Sequence, residues 1–171
     1  MCSKSPRGGV FFISDANFGQ DWPNAPTSDQ AFLGRLGLVM NQDQGTYSIS
    51  DDEYVTGDHP MLTDVTAFDG EGMSPVTVGT PLEGVNISRL APAKSSVRRN
   101  DSADRGRGTT TPATPDDTAL LIGTLGDGRF AVHFDRNTFF NANGAGTDIT
   151  RLDNRRLAEN LFRWLAGLPV R

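Results

Sequence analysis

The feature that most constrains the fold of this chain is a short apolar run, Val10–Ile13, between the turn residues Gly8-Gly9 and Ser14-Asp15. A continuous apolar run of this length is typical of a strand that is buried on both faces, as strands are in a parallel sheet. Further strand-like runs follow at Thr46–Ser50, Val76–Val78, Gly84–Leu90 and Ala119–Gly123. The pattern therefore predicts a sheet with a buried strand near the start of the chain.

Two helices are predicted from apolar residues that recur at helical spacing. Ser28 is placed to cap the first, over residues 29–36, and Gly37 is placed to end it. The second and stronger helix is predicted from Asp153 to Ala166. Its apolar face consists of Leu157, Leu161, Trp164, Leu165 and Leu168.

Between these elements the chain carries one clear turn signal and one long polar segment. Asp127-Gly128 separates two strand-like runs, which predicts a β-hairpin. Residues 93–117 hold almost no large apolar side chain, so burial there cannot offset the entropy lost on ordering. The length of 171 residues suits one domain. We expect a single domain over residues 1–171 with a mobile insertion at 93–117.

Composition excludes several classes of function. Sixteen Lys and Arg residues against 21 Asp and Glu residues give a net charge of −5, whereas binding to nucleic acid or to an anionic membrane needs a concentrated basic surface. The one cysteine, Cys2, excludes an intramolecular disulfide and zinc sites built on cysteine pairs. No stretch approaches the roughly 18 apolar residues of a membrane span. We expect a cytoplasmic protein that acts on or binds a small molecule.

Three stretches occur in a recognisable order. An opening strand with Gly8-Gly9 precedes a His-Pro turn at residues 58–61, and residues 126–140 precede Asp153-Asn154 and a helix ending in Asn160–Gly167. This order resembles the class I glutamine amidotransferase-like fold, in particular its uncharacterised bacterial members. The resemblance implies a three-layer α/β domain with a mostly parallel, flavodoxin-like sheet, a C-terminal β-hairpin and a closing helix.

The residues that would carry amidotransferase chemistry are missing. Where active members of the family have a cysteine nucleophile, this chain has Asp15 and Asn17, and where they have His-x-Glu it has Asp135 and Asn137. Without a thiolate and its base, glutamine hydrolysis through a thioester is not available. The resemblance therefore implies the fold of the family without its triad.

The chain also departs from the family at its start. It begins at the strand with Gly8-Gly9, one βα unit later than the family does, so the resemblance implies an N-terminally abbreviated fold. A missing strand leaves a sheet edge open, and proteins usually cover such an edge or pair it with a second chain. We therefore expect a homodimer formed through the exposed sheet edge.

The resemblance places polar residues from two strand ends across one crevice. Asp15 and Asp135 form a candidate carboxylate pair that activates water for attack on an ester, lactone or glycosidic bond. The same oxygen atoms suit Ca²⁺ or Mg²⁺, so both residues are also candidate metal ligands. His133 is a candidate proton carrier, because it lies two residues from Asp135 on one strand face. The candidate substrate-binding residues are Asn17, His59, Arg136 and Asn137.

The same residues also have a structural interpretation. Asp15 and Asn17 are suited to capping a loop, and Asp135 is suited to accepting hydrogen bonds from backbone N–H groups in a turn. A strand histidine such as His133 is commonly satisfied by a neighbouring carbonyl group. Polar residues at the strand ends favour a retained site, so we expect a small hydrolase of an ester, lactone or glycosidic bond that uses carboxylates, with or without a divalent metal. The alternative is a catalytically silent ligand-binding or assembly module on the same fold.

Overall fold

The computed structural model describes residues 8–14, 30–41, 46–71, 74–94, 96–99, 109–141 and 146–171. The strands within them are β1 Gly9–Ile13, β2 Leu38–Met40, β3 Thr46–Ser50, β4 Ala67–Glu71, β5 Val76–Val78, β6 Val85–Pro92, β7 Ser96–Arg98, β8 Thr110–Pro112, β9 Asp117–Leu125 and β10 Gly128–His133. The closing helix is Asn154–Leu165, and 3₁₀ helices span Gly34–Leu36, Asp51–Glu53, Pro60–Leu62 and Asn137–Phe139. Residues 30–33 are helical and lead into the first of these. None of the described helices is long and apolar enough to cross a membrane.

Six strands form one mixed sheet in the order β1-β10-β9-β5-β2, with β6 also paired to β9. β1 and β10 are parallel, and the other strand pairs of this sheet are antiparallel. A mixed α/β fold is confirmed, but the prediction of a mostly parallel sheet is wrong. A parallel pair needs a crossover of about a dozen residues or more, and a connection as short as that between β9 and β10 forces an antiparallel pair.

The predicted hairpin is confirmed as β9 and β10. Leu125 pairs with Gly128, so the two central residues of the turn are Gly126 and Asp127 rather than Asp127 and Gly128. Gly126 has a φ of 57°, a left-handed value that glycine adopts without steric cost. A type II′ turn needs such a value at its first central position, which explains why the turn lies one residue earlier than expected.

β9 and β10 separate two apolar cores, because alternate residues of a strand point to opposite faces of the sheet. The core beneath the closing helix includes Leu120, Ile122, Ala131, Leu157 and Leu161. The core on the opposite face includes Leu33, Leu38, Leu121, Phe130 and Val132. The helix predicted over residues 153–166 is confirmed to within one residue at each end, and Gly37 ends the first helical segment with a φ of 77°.

β1 lies at one end of the sheet and pairs with β10 alone among the described strands. Val10 is 52% exposed and Ile13 is 37% exposed, so the expectation of a strand buried on both faces is wrong. An end strand keeps one edge open to solvent even when all its side chains are apolar. The apolar run identified a strand but not its position in the sheet.

The segment 93–117, expected to be a mobile insertion, contains paired strands where the structure describes it. β7 and β8 form an antiparallel pair, and Val97 on β7 is fully buried. Arg99 follows β7, and its Nη2 donates to Oδ2 of the buried Asp117 at 2.9 Å. Residues 95 and 100–108 lie outside the described part, and the mobility of the insertion stays a prediction.

Asp117 gives the first testable prediction, a pH-dependent contribution to stability. Burial alone raises the pKa of this carboxyl group, but hydrogen bonds from Arg99, Thr114 and Thr77 outweigh burial and lower it. A lowered folded pKa stabilises the fold above the unfolded pKa of about 4, and this contribution is lost as pH falls through the folded pKa. We expect Asp117→Asn to cost about 3 kcal/mol at neutral pH and much less in acid, measured by urea unfolding.

The neighbouring Asp116 provides the control. It is an exposed carboxylate that pairs with Arg89 at 2.8 Å, and exposed ion pairs contribute about 1 kcal/mol or less. Asp116→Asn should therefore change the free energy of unfolding little at either pH. An equal loss for Asp117→Asn at neutral and acidic pH would contradict the prediction.

Candidate functional site

The chain that follows β10 brings candidate residues together in the interior. β10 ends at His133, and Asp135 precedes the 3₁₀ helix Asn137–Phe139. His133 shares the strand face of Ala131, which belongs to the core beneath the closing helix. Both His133 and Asp135 are fully buried. Any ligand that reached them would have to enter beneath the molecular surface.

Asp135 holds its own loop and β4 together. Its Oδ2 accepts the backbone N–H of Glu71 at 2.8 Å and that of Thr138 at 3.3 Å, and its Oδ1 accepts the N–H of Asn137 at 3.0 Å. Burial raises the pKa of Asp135, although these hydrogen bonds act to lower it. The approach of the loop to β4 requires glycine at Gly70, where a Cβ would lie 3.0 Å from the Cβ of Asp135. The carboxylate thus serves as an acceptor for backbone donors.

His133 is enclosed by aromatic rings. Its ring centroid lies 4.8 Å from that of Phe134, 5.0 Å from that of Phe139 and 5.8 Å from that of Phe68. Nδ1 lies 2.8 Å from the carbonyl oxygen of Asp135, and the buried Nε2 has no hydrogen-bond partner among the described residues. Burial lowers the pKa of His133 to about 3, so the ring is neutral near pH 7. A general base works best with a pKa near the working pH, so this ring is a weak base.

The structure places His59 away from Asp135. His59 precedes the 3₁₀ helix Pro60–Leu62, and its Nδ1 accepts the N–H of Met61 at 3.2 Å. Its ring contacts Trp164, whose carbonyl oxygen accepts a hydrogen bond from Arg129 near the start of β10. Since a strand rises about 3.3 Å per residue, roughly 13 Å of β10 lies between Arg129 and His133, where the loop that contains Asp135 begins.

The carboxylate pair itself falls partly outside the described residues. Asp15 and Asn17 are not among them, so the pairing of Asp15 with Asp135 stays a prediction. Arg136, the next candidate along the loop, holds its guanidinium 5.8 Å from the centre of the Phe140 ring. In the part of the chain that the structure describes, no group of three or more His, Cys, Asp or Glu side chains could hold a metal ion.

A second buried polar cluster, which the sequence analysis did not single out, joins β4 to the closing helix. Asp69 accepts hydrogen bonds from Nδ2 of Asn154 at 2.8 Å and from Nε of Arg151 at 2.7 Å. Asn154 in turn accepts the N–H of Asp69 at 3.0 Å, and Thr138 donates to the carbonyl oxygen of Asp69 at 2.7 Å. The signal in the sequence is that Asn154 lies three residues before Leu157, on the apolar face of the helix.

The described residues also line two surface cavities. One of about 210 Å³ lies beside β1 and is lined by Phe11, Phe12, Ile13, Ser14, Phe32 and Leu33. The other, of about 250 Å³, is lined by residues between 51 and 66, including Asp51, Tyr54 and Asp64. Neither His133 nor Asp135 is among the residues that line these two cavities.

No protein-family model, no curated protein and no solved structure matches this chain. The resemblance to the amidotransferase-like fold consequently stays a prediction. The class of protein that the geometry defines is a mixed α/β domain with a buried polar anchor at the end of β10.

The anchoring role of Asp135 predicts a large loss of stability when its carboxylate is removed. Asp135→Ala leaves the N–H groups of Glu71, Asn137 and Thr138 without their acceptor. Each buried donor left unsatisfied costs about 1–3 kcal/mol. We expect the free energy of unfolding to fall by about 3 kcal/mol or more in a urea titration.

Asp52 provides the matched control for Asp135. It is an exposed aspartate within the 3₁₀ helix Asp51–Glu53, and substitutions of exposed residues usually change stability by about 0.5 kcal/mol or less. A loss for Asp135→Ala as small as that for Asp52→Ala would show that the carboxylate does not anchor the loop.

The burial of His133 predicts that its ring stays neutral over the physiological pH range. Because burial depresses the folded pKa to about 3, stability linked to this ring is fully present above the unfolded pKa of about 6.5. It is lost as pH falls from there towards 3, by up to about 1.4 kcal/mol per pH unit. The measurement is an NMR titration of His59→Gln, which leaves His133 as the one histidine. We expect its ring signals not to move between about pH 8 and pH 5, and a titration midpoint near 6.5 would contradict this.

Proposed function

We propose that this chain is a catalytically silent ligand-binding or assembly module on a mixed α/β fold. The observation that carries the proposal is the engagement of Asp135, whose two carboxylate oxygens accept three backbone N–H groups in the interior. A catalytic carboxylate must reach a water molecule, a metal ion or the substrate. A carboxylate that is fully buried and bonded to backbone N–H groups of two segments is better suited to holding the fold.

The state of His133 supports the same proposal. Its ring is neutral, buried and enclosed by Phe68, Phe134 and Phe139. A proton carrier needs a path to the reacting atoms and a pKa near the working pH. In this proposal the ligand contacts come instead from Arg136 and Asn137, which are only partly buried in the same loop.

The proposal predicts binding without turnover. A panel of esters, lactones and glycosides, tested with and without Ca²⁺ and Mg²⁺, should give no hydrolysis above the rate in buffer. A specific ligand should raise the melting temperature in a saturable way, since a ligand at about 100 times its Kd adds about 2.7 kcal/mol to stability. Arg136→Ala should weaken that shift if the loop binds the ligand. Turnover that is lost in Asp15→Asn would overturn the proposal.

A hydrolase that uses Asp15 and Asp135, with or without a divalent metal, is the second candidate. The observation that favours it is the buried Nε2 of His133, which has no hydrogen-bond partner among the described residues. Buried polar atoms are rarely left unpaired, and a functional role is one explanation for such an atom. If the chain is such a hydrolase, Asp15→Asn and Asp135→Asn should each abolish its activity and leave the melting temperature unchanged. If the hydrolase is assisted by a divalent metal, EDTA should abolish its activity and Ca²⁺ or Mg²⁺ should restore it. Activity that survives both substitutions would exclude it.

A further inference from the structure

The cavity of about 250 Å³ lies between the 3₁₀ helix Asp51–Glu53 and the chain that leads into β4. All the residues that line it lie between positions 51 and 66, inside the continuous described stretch 46–71. Its two sides are joined where the N–H of Asp51 donates to the carbonyl oxygen of Thr66 at 2.8 Å. The lining of this cavity is therefore formed by described residues alone.

Part of the lining is apolar and held in place by backbone contacts. Leu62 and Val65 are buried, and the ring of the partly buried Tyr54 stacks on Phe68 with 6.2 Å between the ring centroids. The Tyr54 hydroxyl donates to the carbonyl oxygen of Val65 at 3.2 Å, and the N–H of Val65 donates to that of Leu62 at 3.1 Å. An aromatic ring attracts a cation placed over its face. This part of the cavity therefore suits the alkyl part of a ligand that also carries positive charge.

The charged side chains of the lining are both carboxylates. Asp51 and Asp64 line the cavity and are exposed, and neither carboxylate has a hydrogen bond or an ion pair with a described residue. The neighbouring Glu53, which does not line the cavity, pairs with Lys94 at 2.7 Å. No lysine, arginine or histidine is among the lining residues. The cavity thus presents two negative charges without a cation from its own described surroundings.

The Tyr54 hydroxyl shows that this negative potential extends into the cavity. Burial raises the pKa of Tyr54, and the charges of Asp51, Asp153 and Glu53 raise it further. Asp153 contributes from behind the lining, where its Oδ2 accepts the N–H of Thr66 at 2.7 Å. Sites of one charge sign select ligands of the opposite sign. The expected ligand is therefore a cation.

We propose that this cavity binds a small organic cation, an alkylamine or alkyldiamine, with an ammonium group at Asp51 and Asp64 and the alkyl chain against Leu62 and Val65. The volume lies below the roughly 300–1,000 Å³ of pockets for drug-sized ligands, so the ligand is small. Among the described residues no group of three or more His, Cys, Asp or Glu side chains could hold a metal ion, which favours an organic cation. This inference does not depend on the proposed function, whose ligand contacts lie in the loop after β10.

The proposal is tested by NMR titration of the full chain with cadaverine at constant ionic strength near pH 7. The backbone amides of Tyr54, Val65 and Thr66 should shift in a saturable way. We expect a Kd of about 1–10 mM, because exposed ion pairs and exposed cation–π contacts are individually weak. The uncharged diol of the same chain length should give no saturable shift of these amides.

Two variants and one matched control locate the binding. Asp51→Asn and Asp64→Asn should each raise the Kd about threefold or more, because each removes one carboxylate from the lining. Asparagine also tolerates the left-handed φ of 56° at Asp64, so that variant keeps the backbone conformation. Asp52→Asn is the control, because Asp52 is exposed on the same 3₁₀ helix, does not line the cavity and loses the same charge. It should bind like the wild type.

Each outcome decides the proposal. No saturable shift up to about 50 mM cadaverine overturns it, since a Kd above that range is not specific binding. An equal loss in Asp51→Asn, Asp64→Asn and Asp52→Asn also overturns it, because the amine is then attracted only by the net charge of −5. Equal binding of the diol, or stronger shifts of the same amides with Ca²⁺ alone, overturns the assignment to an organic cation. If one variant does not fold, the other variant and the comparison with the diol decide.

Discussion

The structure around the candidate site depends on one constraint, the need to satisfy backbone donors where β10 ends inside the protein. β10 is paired on both sides, by β1 and by β9, so the chain that leaves it is buried at once. Buried N–H groups need acceptors, and β9 supplies one for the first residue of the loop, where Phe134 donates to the carbonyl oxygen of Ala119. Asp135 supplies further acceptors with its side chain, and Gly70 allows β4 to come close enough to join the same carboxylate. The loop, β4 and the closing helix are fixed through this contact and the adjoining Asp69 cluster.

The same constraint separates a polar group that maintains the fold from one that performs chemistry. The end of a strand is where catalytic residues are expected in α/β sheets, and Asp135 and His133 occupy such a position. Yet the Asp135 carboxylate accepts backbone N–H groups, and the pKa of His133 is lowered by burial to about 3. A reactive group needs access and an unused hydrogen-bonding position at the pH of the reaction. Position at a strand end is therefore weaker evidence for catalysis than the bonds that the side chain makes.

Local patterns in the sequence predicted the local structure, whereas contacts between distant segments were beyond them. The hairpin of β9 and β10 and the closing helix follow from turn residues and from spacing within about ten residues. The order of the strands in the sheet does not follow from such local patterns. Packing across the whole chain decides which strands pair and in which direction they run. The ion pair between Asp69 and Arg151 joins residues 82 positions apart, and the pair between Arg99 and Asp117 spans 18. Rules of sequence spacing do not extend over such separations. The Asp69–Arg151 pair and the Arg99–Asp117 pair therefore became visible only in the folded structure.

β1 shows how one sequence signal can be compatible with two environments. The run Val10–Ile13 has the composition of an internal strand, but it lies at the end of the described sheet. An internal strand loses its exposed edge to neighbours on both sides, and a strand of the same composition at the end of the sheet keeps it. The apolar side chains of Val10 and Ile13 accordingly stay partly exposed. The composition of a run therefore predicts a strand, but how far its side chains are buried depends on which strands the rest of the chain places beside it.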